Sequence, residues 1–209
     1  MNATVETYAD LARRILDRPA RLGRTRLVAV DGPSGAGKTV FAGRLAAAVD
    51  ELLGPAYENA PPVVHTDDLL DGWADQLTFW PRLERWVLDP LRSGRSGRYR
   101  RYSWVRREFS PRWIPVEPAP VVILEGVSTA RTSIRPELSL AVFLTAPSAL
   151  RRERSLARDG AVLAPYLDEW RRGEDAHFAA EATADHVDVL ADGAPTVPYD
   201  PGVEYVRLR

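Results

Sequence analysis

One octapeptide constrains this chain more than any other feature: Gly32-Pro33-Ser34-Gly35-Ala36-Gly37-Lys38-Thr39. It follows the apolar, β-branched run RLVAVDG and precedes Phe41, Leu45, Val49 and Leu52, which share one face of a helix. A GxxxxGKT run between a buried strand and an amphipathic helix predicts a loop whose glycines let backbone amides wrap phosphate oxygens at a helix N-terminus. All eight residues, Gly32, Pro33, Ser34, Gly35, Ala36, Gly37, Lys38 and Thr39, are then expected to hold ATP. Lys38 is placed to reach the β and γ phosphates, and the Thr39 hydroxyl to ligate Mg²⁺. Lys38 is also the only lysine among the 28 Lys and Arg residues. A compact ammonium stands there, where guanidinium serves everywhere else.

The rest of the chain extends the same pattern. PPVVHTD, PVVILEG, LSLAVFLTA and VDVLADG read as further buried strands, and an opening helix is carried by Tyr8, Leu11, Ala12, Ile15 and Leu16. Helices are also expected over Gln76 to Leu88, Pro147 to Arg158 and Tyr166 to Ala184. The expectation is an α/β, P-loop NTPase fold with a mostly parallel five-stranded sheet flanked by helices, as one domain over residues 1–209. A chain of 23.2 kDa buries about 70% of its extended surface, enough for a core without staples. Cysteine is absent and the net charge is -1, which removes thiol chemistry and disfavours a polybasic nucleic-acid binder. No apolar run spans a bilayer and no secretory leader opens the chain, so a cytoplasmic location is expected, with a homo-oligomer left open.

In such a sheet ligands sit beyond the carboxyl ends of the strands, where Asp31, Asp67, Asp68 and Glu125 fall. Glu125 suits Mg²⁺ or its water shell, or else a helix cap or salt bridge. Asp67 suits the acceptance of a proton from a substrate hydroxyl, and Asp68 a magnesium or substrate ligand; either could instead cap a helix beginning near Leu69. His65 reads as a packed strand residue, and Asp31 as a residue that shapes the loop or touches water at Mg²⁺. Arg151, Arg154 and Arg158 recur at i, i+3 and i+7, giving either a lid near 147–160 that stabilises transferring charge or a solvated helix paired with Glu153 and Asp159. Residues 92–112 are less regular, with eight arginines against Glu108 alone and Tyr99, Tyr102, Trp104 and Phe109 interleaved. That insert reads as a solvated basic segment, a wall for an anionic or aromatic acceptor or, less favourably, an RNA surface.

GPSGAGKT, HTDD, ILEG and RRERSLARD together resemble the uridine kinase family of P-loop nucleoside and nucleotide kinases, over about Leu27 to Gly193. The resemblance implies ATP-dependent transfer of the γ phosphate to a hydroxyl of a small molecule, foremost a nucleoside. It places Asp67 at the catalytic base, Glu125 at the magnesium-side acid, and Arg154 and Arg158 at the lid arginines, with Lys38 completing the catalytic set. Where the family has serine, phenylalanine and tyrosine after its aspartate, this chain has Asp68, Leu69 and Leu70. The missing ring is then to be supplied by Tyr99, Tyr102 or Trp104. A nucleoside monophosphate, a coenzyme precursor and an antibiotic are the alternative acceptors, and an ATP-binding regulator is the non-kinase alternative. The absence of NKxD, and of DxxG after the second strand, argues against a GTPase.

Overall fold

The computed structural model describes residues 3–57 and 60–209. Strand β1 (Thr4–Thr7) leads into α1 (Tyr8–Leu16), which the Thr7 side chain caps by accepting the Asp10 amide. Next come β2 (Arg26–Asp31), the phosphate loop, α2 (Lys38–Leu53) and β3 (Val63–His65). A winding helical stretch follows, with α3 (Trp80–Leu83), a π segment (Glu84–Leu88) and α4 (Asp89–Arg92). The π segment sits where the sequence predicts a plain helix. Pro90 has no N–H to give the Trp86 carbonyl, and the preceding turn widens so that Asp89 donates to Glu84. After β4 (Gly97–Ser103) and β5 (Glu108–Val116) come β6 (Val121–Glu125), β7 (Leu138–Thr145), α5 (Ser148–Asp159), α6 (Ala164–Glu181), β8 (Val189–Asp192) and β9 (Glu204–Arg207).

The main sheet has seven strands in the order β1-β9-β8-β7-β2-β6-β3, which corrects the five-stranded sheet expected from the sequence. The five strands read as buried runs, β2, β3, β6, β7 and β8, do pair in parallel. Two more are added at one edge: β9 runs antiparallel to β8, and β1 antiparallel to β9. TVET and EYVR escape a reading by apolar runs because they are four residues long and carry polar side chains. What holds them is tertiary: Glu6 accepts from the Tyr205 hydroxyl at 2.5 Å and from Arg207 at 2.9 Å.

Alternation along the central strands builds a core on each face of the sheet. Val28 and Val30 of β2 and Ile123 of β6 pack with Leu11, Ile15, Phe41 and Leu45 of α1 and α2. Leu27, Ala29, Val122 and Leu124 face the other way, onto Leu69, Phe79, Trp80, Leu83 and Leu88. The less regular insert is an antiparallel β4-β5 hairpin forming its own two-stranded sheet. Two of its arginines, exposed Arg98 and half-buried Arg100, lie over the Trp113 ring, 4.7 and 4.9 Å from its centre. Among the described residues no helix is long and apolar enough to cross a membrane.

Candidate active site

The phosphate loop leaves the C-terminal end of β2 and enters α2 through three left-turning glycines. Gly32 has φ 137° and Gly35 φ 79°, and a Cβ on Gly35 would stand 2.5 Å from the Arg151 carbonyl oxygen. Only glycine meets both demands. Gly37, at φ 97°, is the residue before the first turn of α2. Among the described residues the amides of Gly35, Gly37, Lys38, Thr39 and Val40 have no protein acceptor, so five donors gather at the positive end of a helix.

Around this loop lies a cleft of about 530 Å³, lined by Ser34 to Phe41, Asp67, Glu125, Arg154 and Arg158. The Lys38 ammonium, on a residue only 8% exposed, rests on the Pro33 carbonyl at 3.2 Å. Thr39 donates its hydroxyl to buried Glu125 at 3.3 Å, and the other Glu125 oxygen meets His65 Nδ1 at 2.6 Å. That contact, with Glu125 the nearest charge, raises the proton affinity of His65 above its usual value. His65 is thus the partner that orients Glu125, a role its place in a strand does not announce. A hydroxyl and a carboxylate side by side are the hard oxygen donors that suit Mg²⁺, which takes few protein ligands beside phosphate oxygens and water. Among the described residues no three His, Asp or Glu side chains cluster tightly enough to hold a metal on their own.

The two consecutive aspartates part company. Asp67 opens into the cleft. Its carboxyl is accessible from the cleft yet walled by protein, and that withdrawal from bulk water raises its pKa against the pull of Lys38, with Glu125 adding to the rise, Arg158 opposing it and Glu174 adding further. Asp68 turns away to the hairpin, where Arg101 Nε lies 3.0 Å from Oδ1, while Oδ2 is buried without a partner. Thr39 and Glu125 are therefore brought together, and Asp68 is not among the residues around them. Beside Asp68, burial pushes the Tyr99 hydroxyl up to about 12.

The three arginines of α5 also divide. Arg151 is buried and donates to the Ala146 carbonyl at 3.1 Å. Arg154 bridges the carbonyls of Gly35 and Gly193 at 3.1 and 3.0 Å, tying the phosphate loop to the turn after β8. Arg158 lines the cleft while holding Asp159 through two bonds of 2.7 Å. Tyr8, Arg44, Tyr199 and Tyr205 close the far end of the cleft. Tyr8 comes from α1, Arg44 from α2, Tyr205 from β9 and Tyr199 from the segment before it, so three of the four are brought in from the two ends of the chain. Among the aromatic side chains near the site, Trp80 is core and donates to Ser128 at 2.9 Å. Tyr99 and Tyr102 are 4% and 6% exposed, whereas Trp104, at 38%, meets Trp73 at 5.0 Å, and Trp73 stacks on Tyr166 at 5.6 Å.

Asp31 is a brace. Its buried carboxylate accepts the amides of Gly32, Ser128 and Ala130 at 2.7, 3.0 and 2.8 Å, clamping the phosphate loop to the turn after β6. Burial pushes its pKa up to about 6 from 3.8, despite those amides and Lys38. The folded value is the higher one, so the stability it contributes is full below pH 3.8 and is lost as pH rises through about 6. Asp31→Asn keeps the shape but turns an amide NH₂ toward one of the three donors, at a cost of about 1–3 kcal/mol. Denaturant unfolding between these pH values is expected to show the variant less stable and its pH slope flattened; a slope equal to that of the parent assigns the dependence to other carboxyls.

Residues 79–162 match a family model described as the Phosphoribulokinase / Uridine kinase family, a stretch that takes in the hairpin, β6, β7 and α5 but not the phosphate loop. No curated protein matches the sequence significantly. Among solved structures, a possible uridine kinase from Bacillus stearothermophilus superposes with TM-score 0.62 at 20% identity, over 88% of this chain and 96% of that one. A protein provisionally assigned as a fructose transport system kinase from a Silicibacter species gives 0.57 at 22%, over 88% and 90%. D-glycerate 3-kinase from Cryptococcus neoformans gives 0.53 at 13%, over 89% and 95%. At these identities the superpositions speak for the shared fold.

Proposed function

We propose, for a chain whose residues 79–162 place it with the Phosphoribulokinase / Uridine kinase family, that the cleft transfers the γ phosphate of ATP to a hydroxyl of a small molecule, a nucleoside first. A P-loop kinase-type phosphotransferase is what family and fold together support; the acceptor is our reading. The observation that carries it is the gathering of Lys38, Asp67, Glu125 and Arg158 around one phosphate-binding loop.

In this reading the loop amides and Lys38 hold the phosphates, and Asp67 takes the proton of the acceptor hydroxyl as its oxygen bonds to the γ phosphorus. The bond from that phosphorus to the bridging oxygen breaks, and ADP leaves. Thr39 and Glu125 would hold Mg²⁺, which supplies charge neutralisation on the phosphates. Arg158 adds positive charge at the same end, and Arg154 keeps the loop in register with the turn after β8. The nucleoside reading draws on the resemblance to uridine kinases and on the exposed Trp104 beside Trp73 and Tyr166, which offers the ring that Leu69 and Leu70 cannot.

An acceptor screen scored by ADP release above the no-acceptor background tests this. Uridine, cytidine and other nucleosides are expected to lead. Faster turnover with nucleoside monophosphates, hydroxy acids or sugars would replace the nucleoside, and no acceptor-dependent release alongside tight ATP binding would favour a regulatory ATP-binding role.

A further inference from the structure

Glu174 lies in α6, outside every segment that the sequence marks as part of the site, and it is 0% exposed. Its carboxylate accepts the Ser34 amide through both oxygens at 3.1 Å, the Ser34 hydroxyl, and the Trp170 indole N–H at 2.9 Å. These donors are all neutral. A carboxylate withdrawn from water costs several kcal/mol unless its lone pairs are well used, so a side chain serving only to fill space would be better apolar.

The position of the contact gives it meaning. Asp31 holds the Gly32 amide at the entry of the phosphate loop, and Glu174 holds Ser34 two residues later; beyond them the Ala36 amide turns back to the Pro33 carbonyl, and among the described residues those of Gly35, Gly37, Lys38, Thr39 and Val40 have no protein acceptor. On its other side Glu174 is joined to the aromatic wall. Trp170 sits edge-on to Trp73 at 5.5 Å and lies 6.5 Å from Trp104 of the hairpin turn, and its carbonyl accepts from Gln76 at 2.9 Å. A Cβ on Gly173, one residue before Glu174, would stand 2.3 Å from Gln76 Oε1, so a larger residue there would have to displace the Gln76 side chain.

We propose that Glu174 is a positioning residue for phosphoryl transfer, fixing the Ser34 end of the phosphate loop and tying it to Trp170, so that the loop and the aromatic wall shift together. The proposal rests on the reading of Gly32–Thr39 as the ATP site. It assigns Glu174 no contact with the reacting atoms.

The test is ATP binding by calorimetry, with tryptophan emission and thermal unfolding, on the full chain and on Glu174→Ala, Glu174→Gln, Ser34→Ala and the Ser34→Ala/Glu174→Ala pair. Glu174→Ala is expected to weaken ATP binding about tenfold and to shift indole emission, as loss of a hydrogen bond to a charged group does. Glu174→Gln, which keeps an acceptor oxygen, recovers most of that loss. The double variant binds no worse than the poorer single one, because both remove the same contact. Parental ATP affinity in Glu174→Ala overturns the proposal, as does a fall in melting temperature with affinity unchanged, or an additive double variant. Should Glu174→Ala fail to fold, Trp170→Phe, which removes only the N–H donor and part of the ring, stands in beside Glu174→Gln; parental affinity in both overturns it equally. No ATP binding by the parent chain sinks the nucleotide-site reading itself, whereas binding that ignores Glu174 sinks this proposal alone.

Discussion

Asp67→Asn lowers kcat by about 10²- to 10⁴-fold, with ATP affinity close to that of the parent chain. The substitution preserves size and most hydrogen-bonding capacity but removes the anionic proton acceptor at the cleft. Its specificity comes from the way the chain leaves β3: Asp67 faces the cleft with Lys38 and Glu125, while its neighbour Asp68 is held by Arg101 of the hairpin. Asp68→Asn is therefore expected to be milder at saturating Mg²⁺, and to act through the placement of the hairpin. Single-turnover transfer to the acceptor found by screening separates the two. Near-normal transfer in the Asp67 variant with collapse in the Asp68 variant reverses the assignment; near-normal transfer in both removes this pair from proton handling.

Lys38→Ala is expected to lower turnover by about 10²- to 10³-fold, in the range found when one preorganised donor to developing charge is removed. The far-UV spectrum should be retained, since the Lys38 ammonium makes a hydrogen bond to the Pro33 carbonyl and, among the described residues, no salt bridge to an acid. Lys38→Arg should also perform poorly, because a planar fork does not fit where the Pro33 carbonyl and the loop enclose a compact ammonium. Direct ATP titration and turnover, measured together, decide the matter: unchanged turnover in the alanine variant ends the assignment of Lys38 to the phosphates.

The hairpin and its surroundings show why some of the site was legible and some was not. GPSGAGKT announces its geometry because glycine, lysine and threonine at that spacing do one thing well in a strand-turn-helix context. The acids at the ends of VVHT and VVIL are legible for a related reason, since parallel strands deliver their C-terminal residues to one edge. Glu174 carries no such mark. It is one acid among several charged residues of a helix with little amphipathic contrast, and only the docking of α6 onto the loop gives it Ser34. Trp73, Trp104 and Tyr166 likewise meet from three separate segments.

What the sequence determined by itself is local: the phosphate loop, the five buried parallel strands and the helices whose apolar spacing repeats every turn, each specified by residues close together in the chain. Tertiary structure decided what depends on distant partners. It added β1 and β9 at the edge through Glu6, Tyr205 and Arg207, folded the basic insert into a hairpin on cation-π contacts, turned Asp67 and Asp68 to different neighbours, and seated Glu174 on the loop. Short polar strands and buried charges are stabilised by groups far away in sequence, and no pattern confined to their own residues can reveal those groups.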